Sequence, residues 1–383
     1  MHTPASDKYA TLHSIDWPGT AQQLAIEFGK RAADHDQSGR FVADNFDDLR
    51  EAGFFTAAIP AELGGGDASF EAMCNVVREL GKHCGSTALT FAMHTHTIAA
   101  NVYKHLRGDD AATMMLKKVV AGNLIISTTG ANDWLHSSGT AERVDGGYRV
   151  QARKRFVSGC PGADVLATSI TFDGANGTEV LHFAIPRQTE GIEIVETWDT
   201  LGMRATGSHD VIYNRVFIPD TAIVARRPAA TWHPMWEVIL PVALPLISAV
   251  YVGLAESATV IALDAAKRNG AVLAGVAGEL LNDLTIAELA LNDMVRQNDN
   301  YGFTPSLDRV NDALARKAIV ATQVKAAVET AAELVGGPGF YRGHAIERIV
   351  RDVRAMHYHP LPLRRQQVFS GRLAMGLDPV GEA

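Results

Sequence analysis

The sequence is poor in cysteine and in clustered basic residues, and each shortage excludes a class of protein. The 383 residues include three cysteines, and no CxxC or Cys/His spacing typical of a zinc site occurs. We therefore expect no disulfide framework, no bound metal and a reducing, cytoplasmic location. The net charge is −8 and the basic residues are scattered, so nucleic acid is not an expected partner.

Long apolar runs are also scarce. One run, residues 238–255, carries no charge over a length near that of a bilayer span. Two prolines, a serine and a glycine weaken that interpretation, and no second run of this kind occurs. We therefore expect a helix buried on all sides in a large helical protein, and no membrane partner. Hydrophobic residues make up 47% of the chain, which allows a substantial core.

The spacing of apolar residues divides the first part of the chain into a helical region and a region of strands. Over residues 18–122 the spacing is mostly helical, with a break at the three glycines 64–66. Between residues 124 and 226 apolar and polar residues alternate in short runs, which predicts strands. Glycine-containing turns at 145–147 and 173–177 separate these runs as hairpin turns do, so we expect a mostly antiparallel sheet.

Helical spacing returns after Trp232. From Leu314 to Val335 the apolar residues follow steps of four and three, which predicts one amphipathic helix that ends at a glycine–proline turn. A further short helix is expected at about residues 346–356. We predict an N-terminal helical domain, a central β domain and a C-terminal helical bundle over residues 1–123, 124–230 and 231–383.

Four segments together resemble the acyl-CoA dehydrogenase superfamily, over nearly the whole chain. The resemblance implies an α+β fold with an N-terminal helical domain, a central antiparallel β-barrel-like domain and a C-terminal four-helix bundle. It also implies a flavin, FAD or reduced FMN, between the β domain and the bundle, and a homotetramer or dimer. The segments are LGGG (63–66), KRFVSG (154–159), the expected strand pair TWDTLGMRATGSHDVIYNRVFIPD (197–220), and GGPGF (336–340) followed by ERIVRDVRA (347–355).

The resemblance places flavin-contacting residues at two strand ends. Phe156 and Ser158 in KRFVSG fall on one face of a strand, where the ring can lie against a flavin and the hydroxyl can bond near its N5 atom. Thr128 and Thr129 stand where the family carries a strand ending in a flavin-contacting hydroxyl. Either threonine fits that role.

Three glycines and an arginine resemble the part of the family site that approaches the flavin phosphates. Gly336, Gly337 and Gly339 match a turn whose backbone amides come close to an anion. Arg268 resembles an arginine that pairs with the flavin of a neighbouring subunit. Glu333 stands where dehydrogenases usually have glutamine, and a carboxylate facing a diphosphate is unfavourable. We therefore expect either a different binding mode for the ADP half or FMN as the cofactor.

Acyl-CoA dehydrogenation requires a carboxylate base, and the sequence lacks one where the family places it. Most members carry it at the position of Pro360, and a second subgroup carries it near Ala243. Glu237 serves as a base only if the alignment shifts. His359 instead matches a histidine of the superfamily's reduced-flavin monooxygenases, of the dibenzothiophene and hydroxyphenylacetate types. There the imidazole assists formation or protonation of a flavin C4a-hydroperoxide, a task suited to a near-neutral pKa.

Other polar residues have both a functional and a structural interpretation. His94 and His96 are candidates for the substrate pocket, and Arg204 for substrate or flavin, with a structural strand contact an equal alternative. His357 and His359 together also fit a helix terminus, where an imidazolium is favoured by the free carbonyl groups. Neither histidine pair has a third metal ligand nearby, so no metal site is predicted.

These residues predict a flavin-dependent oxidoreductase, with a two-component monooxygenase preferred. It would take reduced flavin from a separate flavin reductase and hydroxylate or N-oxidise a small organic substrate. The first alternative is a divergent FAD-dependent acyl-CoA dehydrogenase with a relocated base. The second is a flavin-binding relative without catalytic activity, because binding residues alone do not establish a reaction.

Overall fold

The computed structural model describes residues 15–129, 133–268 and 270–381. The first part is helical, as predicted. Its first helix starts where Asp16 caps the amide of Gly19, and it ends at Gly39, whose φ of 68° is the left-handed conformation that glycine adopts easily. The helices of this part are α1 (Trp17–Ser38), α2 (Ala43–Glu51), α3 (Phe70–His83), α4 (Gly85–His105) and α5 (Asp110–Gly122).

The central part is a sheet in the strand order β6-β7-β3-β2-β4-β5-β8, with β1 paired to β4. Both predicted hairpin turns are present, between β2 and β3 and between β4 and β5. Most pairs are antiparallel, as predicted. Strands β1 and β2, however, each pair with β4 in parallel, which the alternation of apolar residues did not predict. The strands are β1 (Ile126–Thr128), β2 (Thr140–Val144), β3 (Gly147–Val157), β4 (Val165–Gly174), β5 (Gly177–Pro186), β6 (Ile192–Val195), β7 (His209–Pro219) and β8 (Ile223–Pro228).

The last part is helical again. The predicted amphipathic helix ends at Val335, and Gly336 follows with a φ of 70°. The predicted short helix is divided into a regular helix and a 3-10 segment, Val353–Tyr358. The helices are α6 (Trp236–Lys267), α7 (Ala274–Asn298), α8 (Leu307–Val335), α9 (Ala345–Asp352) and α10 (Leu363–Ala374).

The two helical parts share one hydrophobic core, and the sheet has a second core of its own. Helix α6 occupies the centre of the shared core and packs against α3, α4, α7 and α8. It contains the apolar run singled out in the sequence, and 94% of its most apolar window is buried. The prediction of a helix buried on all sides is therefore confirmed.

Helices α3 and α6 cross at two glycines. A Cβ atom on Gly253 would lie 2.1 Å from the carbonyl oxygen of Arg78, and one on Gly81 would lie 2.5 Å from that of Val250. Both obstacles are backbone atoms of regular helices, which cannot move aside as a flexible side chain can. The absence of side chains at these positions therefore sets how closely the two helical parts approach.

The segment between β6 and β7 differs from the predicted strand pair. Only His209–Pro219 of residues 197–220 forms a strand, and residues 197–208 cross to the C-terminal helices instead. The peptide of Met203 is held there because its amide donates to the carboxylate of Asp352 at 2.5 Å. Gly202 allows this approach, since a Cβ on it would lie 2.3 Å from the carbonyl oxygen of Arg351.

The RDVR sequence (351–354) thus joins three parts of the molecule. Arg351 forms a two-pronged ion pair with Asp36 of α1, and its guanidinium also donates to the carbonyl oxygen of Leu201. Asp352 is buried, and burial raises the pKa of its carboxyl to about 6 although the Met203 amide favours the charged form. The segment is a junction between the N-terminal helices, the sheet and the bundle.

Replacing Gly253 with alanine should lower the free energy of unfolding by about 2 kcal/mol or more, because the added methyl group forces α3 and α6 apart. The measurement is urea unfolding followed by circular dichroism. Gly278→Ala in α7 is the matched control, since a Cβ there meets nothing within 4 Å. That control should be neutral or stabilising by up to about 1 kcal/mol. Equal effects of the two variants would contradict the packing argument.

Candidate functional site

An accessible aromatic pair lies at the end of β3. Phe156 is 52% exposed, and its ring centroid lies 5.4 Å from that of Trp198 in an edge-to-face arrangement. The indole is fixed because its Nε1 donates to the carbonyl oxygen of Met203 at 2.9 Å. A large apolar ring left open on a rigid frame is a surface on which a flat ligand can pack. The structure therefore adds Trp198 to the predicted Phe156.

Hydroxyl groups line the same strand end. Ser158 Oγ lies 2.8 Å from Ser208 Oγ, which in turn lies 2.7 Å from Thr206 Oγ1. Ser158 is partly exposed, whereas Ser208 and Thr206 are buried. The hydroxyl of Ser208 is therefore occupied by its contacts with Thr206 and Ser158, and Ser158 is the hydroxyl that a ligand can reach.

The two candidate threonines differ in what they already bind. Thr129 follows β1, and its hydroxyl bonds to that of Thr168 while its amide donates to Ala167. The hydroxyl of Thr128 forms no hydrogen bond among the described residues, and this residue is partly exposed. Thr128 is therefore the better candidate for a ligand contact.

The segment after β1 is held by a buried ion pair. Lys154, the lysine of KRFVSG, is 1% exposed and donates to the carboxylate of Asp133 at 2.9 Å. Lys154 also donates to the hydroxyl of Ser137 and the carbonyl oxygen of Ser138. Burial lowers the pKa of Lys154, but the adjacent carboxylate favours the charged ammonium group. The side chains of Lys154 and Asp133 therefore anchor this strand end and do not face a ligand.

His359 lies next to Tyr251 of α6 and Lys317 of α8. Its Nε2 is 2.7 Å from the tyrosine hydroxyl. Lys317 is 1% exposed and donates to the carbonyl oxygens of His359 at 2.9 Å and of Leu361 at 3.2 Å. Two helices of the bundle, α6 and α8, thus hold the segment that contains His359.

The electrostatic environment keeps this imidazole neutral. Burial and the ammonium group of Lys317 lower the pKa of His359 to about 3, and burial lowers the pKa of Lys317 to about 8. The expectation of a near-neutral imidazole pKa is therefore wrong, and so is the alternative of a charged imidazolium at a helix end. At pH 7 this residue can form hydrogen bonds, but it does not supply a proton from an imidazolium.

The hydroxyl of Tyr251 determines which ring nitrogen of His359 carries the proton. Tyr251 is fully buried, and burial raises its pKa well above the usual value of 10, so the phenol is protonated. A buried hydroxyl hydrogen needs an acceptor, and Nε2 is its partner among the described residues. Nε2 then accepts, and Nδ1 carries the proton as a neutral donor.

Helix α4 separates the two histidines of the HTH sequence. Residues two apart in a helix point about 200° apart, so His94 and His96 lie on opposite sides. His94 is 2% exposed, and both of its ring nitrogens are bonded to backbone, to Phe55 O at 2.8 Å and to Ile126 N at 3.1 Å. A substrate role for His94 is therefore wrong, because it has no free nitrogen.

His96 and Arg204 have different surroundings. His96 Nδ1 bonds to the carbonyl oxygen of Ala92 at 3.2 Å, and burial lowers the pKa of its imidazole to about 4. It stays a candidate for the pocket. Arg204 donates to the carbonyl oxygens of Asp36 and Thr200 and pairs with Asp199. The structural alternative for Arg204 is the one that the structure favours.

A groove of about 340 Å³ lies between the end of α6 and the glycine turn after α8. Arg268 is exposed and lines this groove. Gly336 and Gly337 face open space, but the amide of Gly336 donates to the carbonyl oxygen of Ala332 at 3.0 Å, which leaves the amide of Gly337 as the donor that a ligand can approach. Gly339 does not share this role, because its amide donates to the carbonyl oxygen of Gly336 at 2.9 Å. Other residues lining the groove are Val260, Ile261, Asp264, Ala265, Val335, Pro338 and His344.

Sequence reasoning missed Tyr251, Lys317 and Trp198. Two of these carried a signal. Tyr251 is the one phenol inside the apolar run, and Lys317 lies three residues after Leu314, on the apolar stripe of its helix. A lysine on a buried stripe predicts a specific partner, which here is a pair of backbone carbonyl groups. Trp198 had no signal, because its segment was expected to be a strand.

This arrangement of N-terminal helices, a central sheet and C-terminal helices is an acyl-CoA dehydrogenase-like fold. Residues 20–122 match the family described as acyl-CoA dehydrogenase, N-terminal domain. This match over part of the chain, together with the architecture, confirms the acyl-CoA dehydrogenase-like fold predicted from the sequence.

Relatives with different activities resemble the chain. It is 28% identical over 363 residues, 90% of this chain and 92% of the relative, to YdbM of Bacillus subtilis (strain 168), which is named among the acyl-CoA dehydrogenases. It is 27% identical to L-evernosamine nitrososynthase of a Micromonospora species, over 85% of this chain and 81% of the relative. The structure of FMN-bound TdsC, a dibenzothiophene monooxygenase from Paenibacillus sp. A11-2, superimposes with a TM-score of 0.82 at 19% identity, covering 94% and 97% of the two chains.

Removing the exposed ring of Phe156 should weaken FMN binding at least about tenfold, because a flat ligand loses its packing surface. The measurement is a titration followed by quenching of flavin fluorescence. Phe217→Ala is the matched control, since this phenylalanine is also exposed on the sheet, at 39%, but lies on β7 near Arg149. Equal weakening in both variants would place the flavin elsewhere.

Arg268→Gln should weaken binding of FMN and leave binding of riboflavin unchanged, because riboflavin lacks the phosphate that a guanidinium recognises. Calorimetric titration with both ligands measures the two dissociation constants. We expect the FMN constant to rise about tenfold. The exposed Arg296, which pairs with Asp293 on α7, provides the charge-matched control Arg296→Gln. A parallel loss for FMN and riboflavin would exclude Arg268 from phosphate binding.

Proposed function

We propose that this protein is a two-component flavin monooxygenase that takes reduced FMN or FAD and hydroxylates or N-oxidises a small organic substrate. The observation that carries the proposal is the replacement of the dehydrogenase base by a fixed, neutral imidazole. The two expected base positions hold Pro360 and Ala243. His359, the residue before Pro360, is held by the hydroxyl of Tyr251 and by Lys317.

The relocated base of the alternative dehydrogenase lacks support. Glu237 accepts a hydrogen bond from the indole of Trp232 at 3.1 Å. It lies 14 positions before Tyr251 in the sequence, which is about 21 Å along a helix axis. A carboxylate at that distance does not reach the region of His359. A monooxygenase needs no carboxylate there, because no α-proton is removed from a thioester.

The residues of the site fit a flavin. The open pair of Phe156 and Trp198 would pack against its ring, and Ser158 would bond to its edge. Arg268 and the amide of Gly337 would receive the phosphate of a flavin bound mainly by a neighbouring subunit. A bound reduced flavin supplies the activation of molecular oxygen. His359 would offer the proton on Nδ1 as a hydrogen-bond donor while staying neutral.

Several relatives support this class. The names of two relatives, the nitrososynthase and the dibenzothiophene monooxygenase, indicate reactions on a nitrogen compound and on a sulfur compound. The TdsC structure holds FMN. FMN also suits Glu333, which is exposed and would face no diphosphate. A separate flavin reductase would supply the reduced cofactor to this cytoplasmic enzyme.

We further propose a homotetramer or dimer. Large apolar side chains are exposed along the bundle and the glycine turn, beside the groove that contains Arg268. Burying such residues between copies of the chain is favourable. They are Val260 (70% exposed), Val272 (88%), Leu289 (64%), Phe340 (90%) and Tyr341 (75%).

Stopped-flow mixing of the protein and reduced FMN with oxygenated buffer should show a transient absorbing species before the spectrum of oxidised flavin appears. The same experiment with reduced FAD identifies the preferred cofactor. His359→Ala should change the rate of formation or decay of this species about tenfold or more, the scale typical of positioned acid–base or hydrogen-bonding groups.

Reoxidation in a single phase, without a transient, would count against the monooxygenase. An anaerobic panel of acyl-CoA thioesters then separates the alternatives. Bleaching of bound oxidised FAD would establish a dehydrogenase, and Glu237→Gln would test its base. Flavin binding with neither result would indicate a binding protein without this catalysis.

A further inference from the structure

A chain of three hydroxyl groups connects the protein interior to the candidate flavin site. It begins at the carbonyl oxygen of Met203, to which Thr206 Oγ1 donates at 3.0 Å. It continues through Ser208 Oγ, 2.7 Å from Thr206 Oγ1, to Ser158 Oγ at 2.8 Å. Thr206 and Ser208 are 0% and 2% exposed, whereas Ser158 is partly exposed. The chain thus has a buried end and an open end.

The direction of the hydrogen bonds follows from the buried end. A carbonyl oxygen only accepts, so the single proton of Thr206 points to Met203. The bond between Thr206 and Ser208 must then use the proton of Ser208. The bond between Ser208 and Ser158 must likewise use the proton of Ser158. Ser158 therefore presents lone pairs to the site and has no proton left for a ligand.

The starting point of the chain cannot easily rotate. The amide of Met203 donates to the buried carboxylate of Asp352 at 2.5 Å, and its carbonyl oxygen also accepts from Trp198 Nε1 at 2.9 Å. Turning the carbonyl group of Met203 would break its three hydrogen bonds, from Trp198 Nε1 and from the hydroxyl and the amide of Thr206, which is unfavourable in a buried region. The polarity of the hydroxyl chain is therefore built into the fold.

A flavin changes its hydrogen-bonding character at N5 when it is reduced. Oxidised flavin has an unprotonated N5, which accepts, whereas reduced flavin carries N5–H, which donates. This inference rests on the proposed function, in which Ser158 faces that edge. We propose that Thr206 and Ser208 are positioning residues that orient Ser158 as an acceptor, so that the site selects reduced flavin over oxidised flavin.

Selection of this kind fits an enzyme that exchanges flavin with a reductase. The reduced form gains a hydrogen bond to Ser158 on entering. After oxidation, N5 and Ser158 Oγ face each other as two acceptors, and neither is satisfied. The oxidised form is then released more readily for the next reduction.

The test is a pair of anaerobic titrations, with reduced FMN and with oxidised FMN, on the intact protein. The wild type should bind reduced FMN at least about tenfold more tightly, the scale of one lost hydrogen bond. Ser208→Ala releases the proton of Ser158 toward the ligand. Its affinity for oxidised FMN should rise, and the ratio of the two dissociation constants should fall about tenfold.

Ser127→Ala is the matched control. Ser127 Oγ donates to the backbone oxygen of Ser158 at 3.0 Å and is buried like Ser208, but it is not part of the hydroxyl chain. Because Ser127→Ala also removes a hydroxyl group next to Ser158, but one outside the hydroxyl chain, it should leave the ratio of the two dissociation constants unchanged. Thr206→Val, which keeps the side-chain shape, should act like Ser208→Ala and serves if that variant does not fold.

The midpoint potential of bound FMN gives a second readout, because tighter binding of the reduced form raises it above that of free FMN. Ser208→Ala should move it back toward the free value. A ratio and a potential unchanged in both Ser208→Ala and Thr206→Val would overturn the inference and leave the proposed function intact. Failure of the wild type to bind FMN or FAD in either redox state would instead overturn the proposed function.

Discussion

The backbone of Met203 is the point on which both halves of the candidate site depend. Its amide donates to Asp352 at the end of α9, and its carbonyl oxygen accepts from Trp198 and Thr206. Met203 is fully buried with a φ of 52°, a conformation that non-glycine residues adopt only when their surroundings require it. The two peptide groups that flank Met203 therefore connect the aromatic pair, the hydroxyl chain and the C-terminal segment.

Burial, more than pairing of opposite charges, determines the chemistry of the histidine region. Lys317 is buried with two carbonyl groups as partners, and its positive charge adds to burial in keeping His359 neutral. Tyr251 fixes the imidazole by a single hydrogen bond. Such a group suits hydrogen-bond donation to an oxygen-containing species, and it is poorly suited to removing an α-proton from a thioester.

The same fold supports both activities found among the relatives, so the fold alone does not distinguish them. The distinction rests on a few side chains at the end of the bundle. Pro360 stands where the resemblance places a carboxylate base, and Lys317 holds the backbone of His359 next to it. In this view the hydroxyl chain and the neutral histidine serve one purpose, which is to bind and protect a reduced flavin.

Local patterns in the sequence were sufficient for the architecture. The spacing of apolar residues and the positions of turn-forming residues predicted the helical parts, both hairpins, the buried helix α6 and the end of α8. These features depend on residues close together in the chain and on burial. The resemblance also indicated Phe156 and Ser158, which lie at an accessible strand end.

Contacts between distant segments decided the rest. Residues 197–208 leave the sheet because Asp352 holds Met203, 149 positions away. His94 became structural because Phe55 and Ile126 occupy its nitrogens, and the pKa of His359 fell because folding buried it beside Lys317. No spacing along the chain encodes such partners, since only the packed structure brings them together.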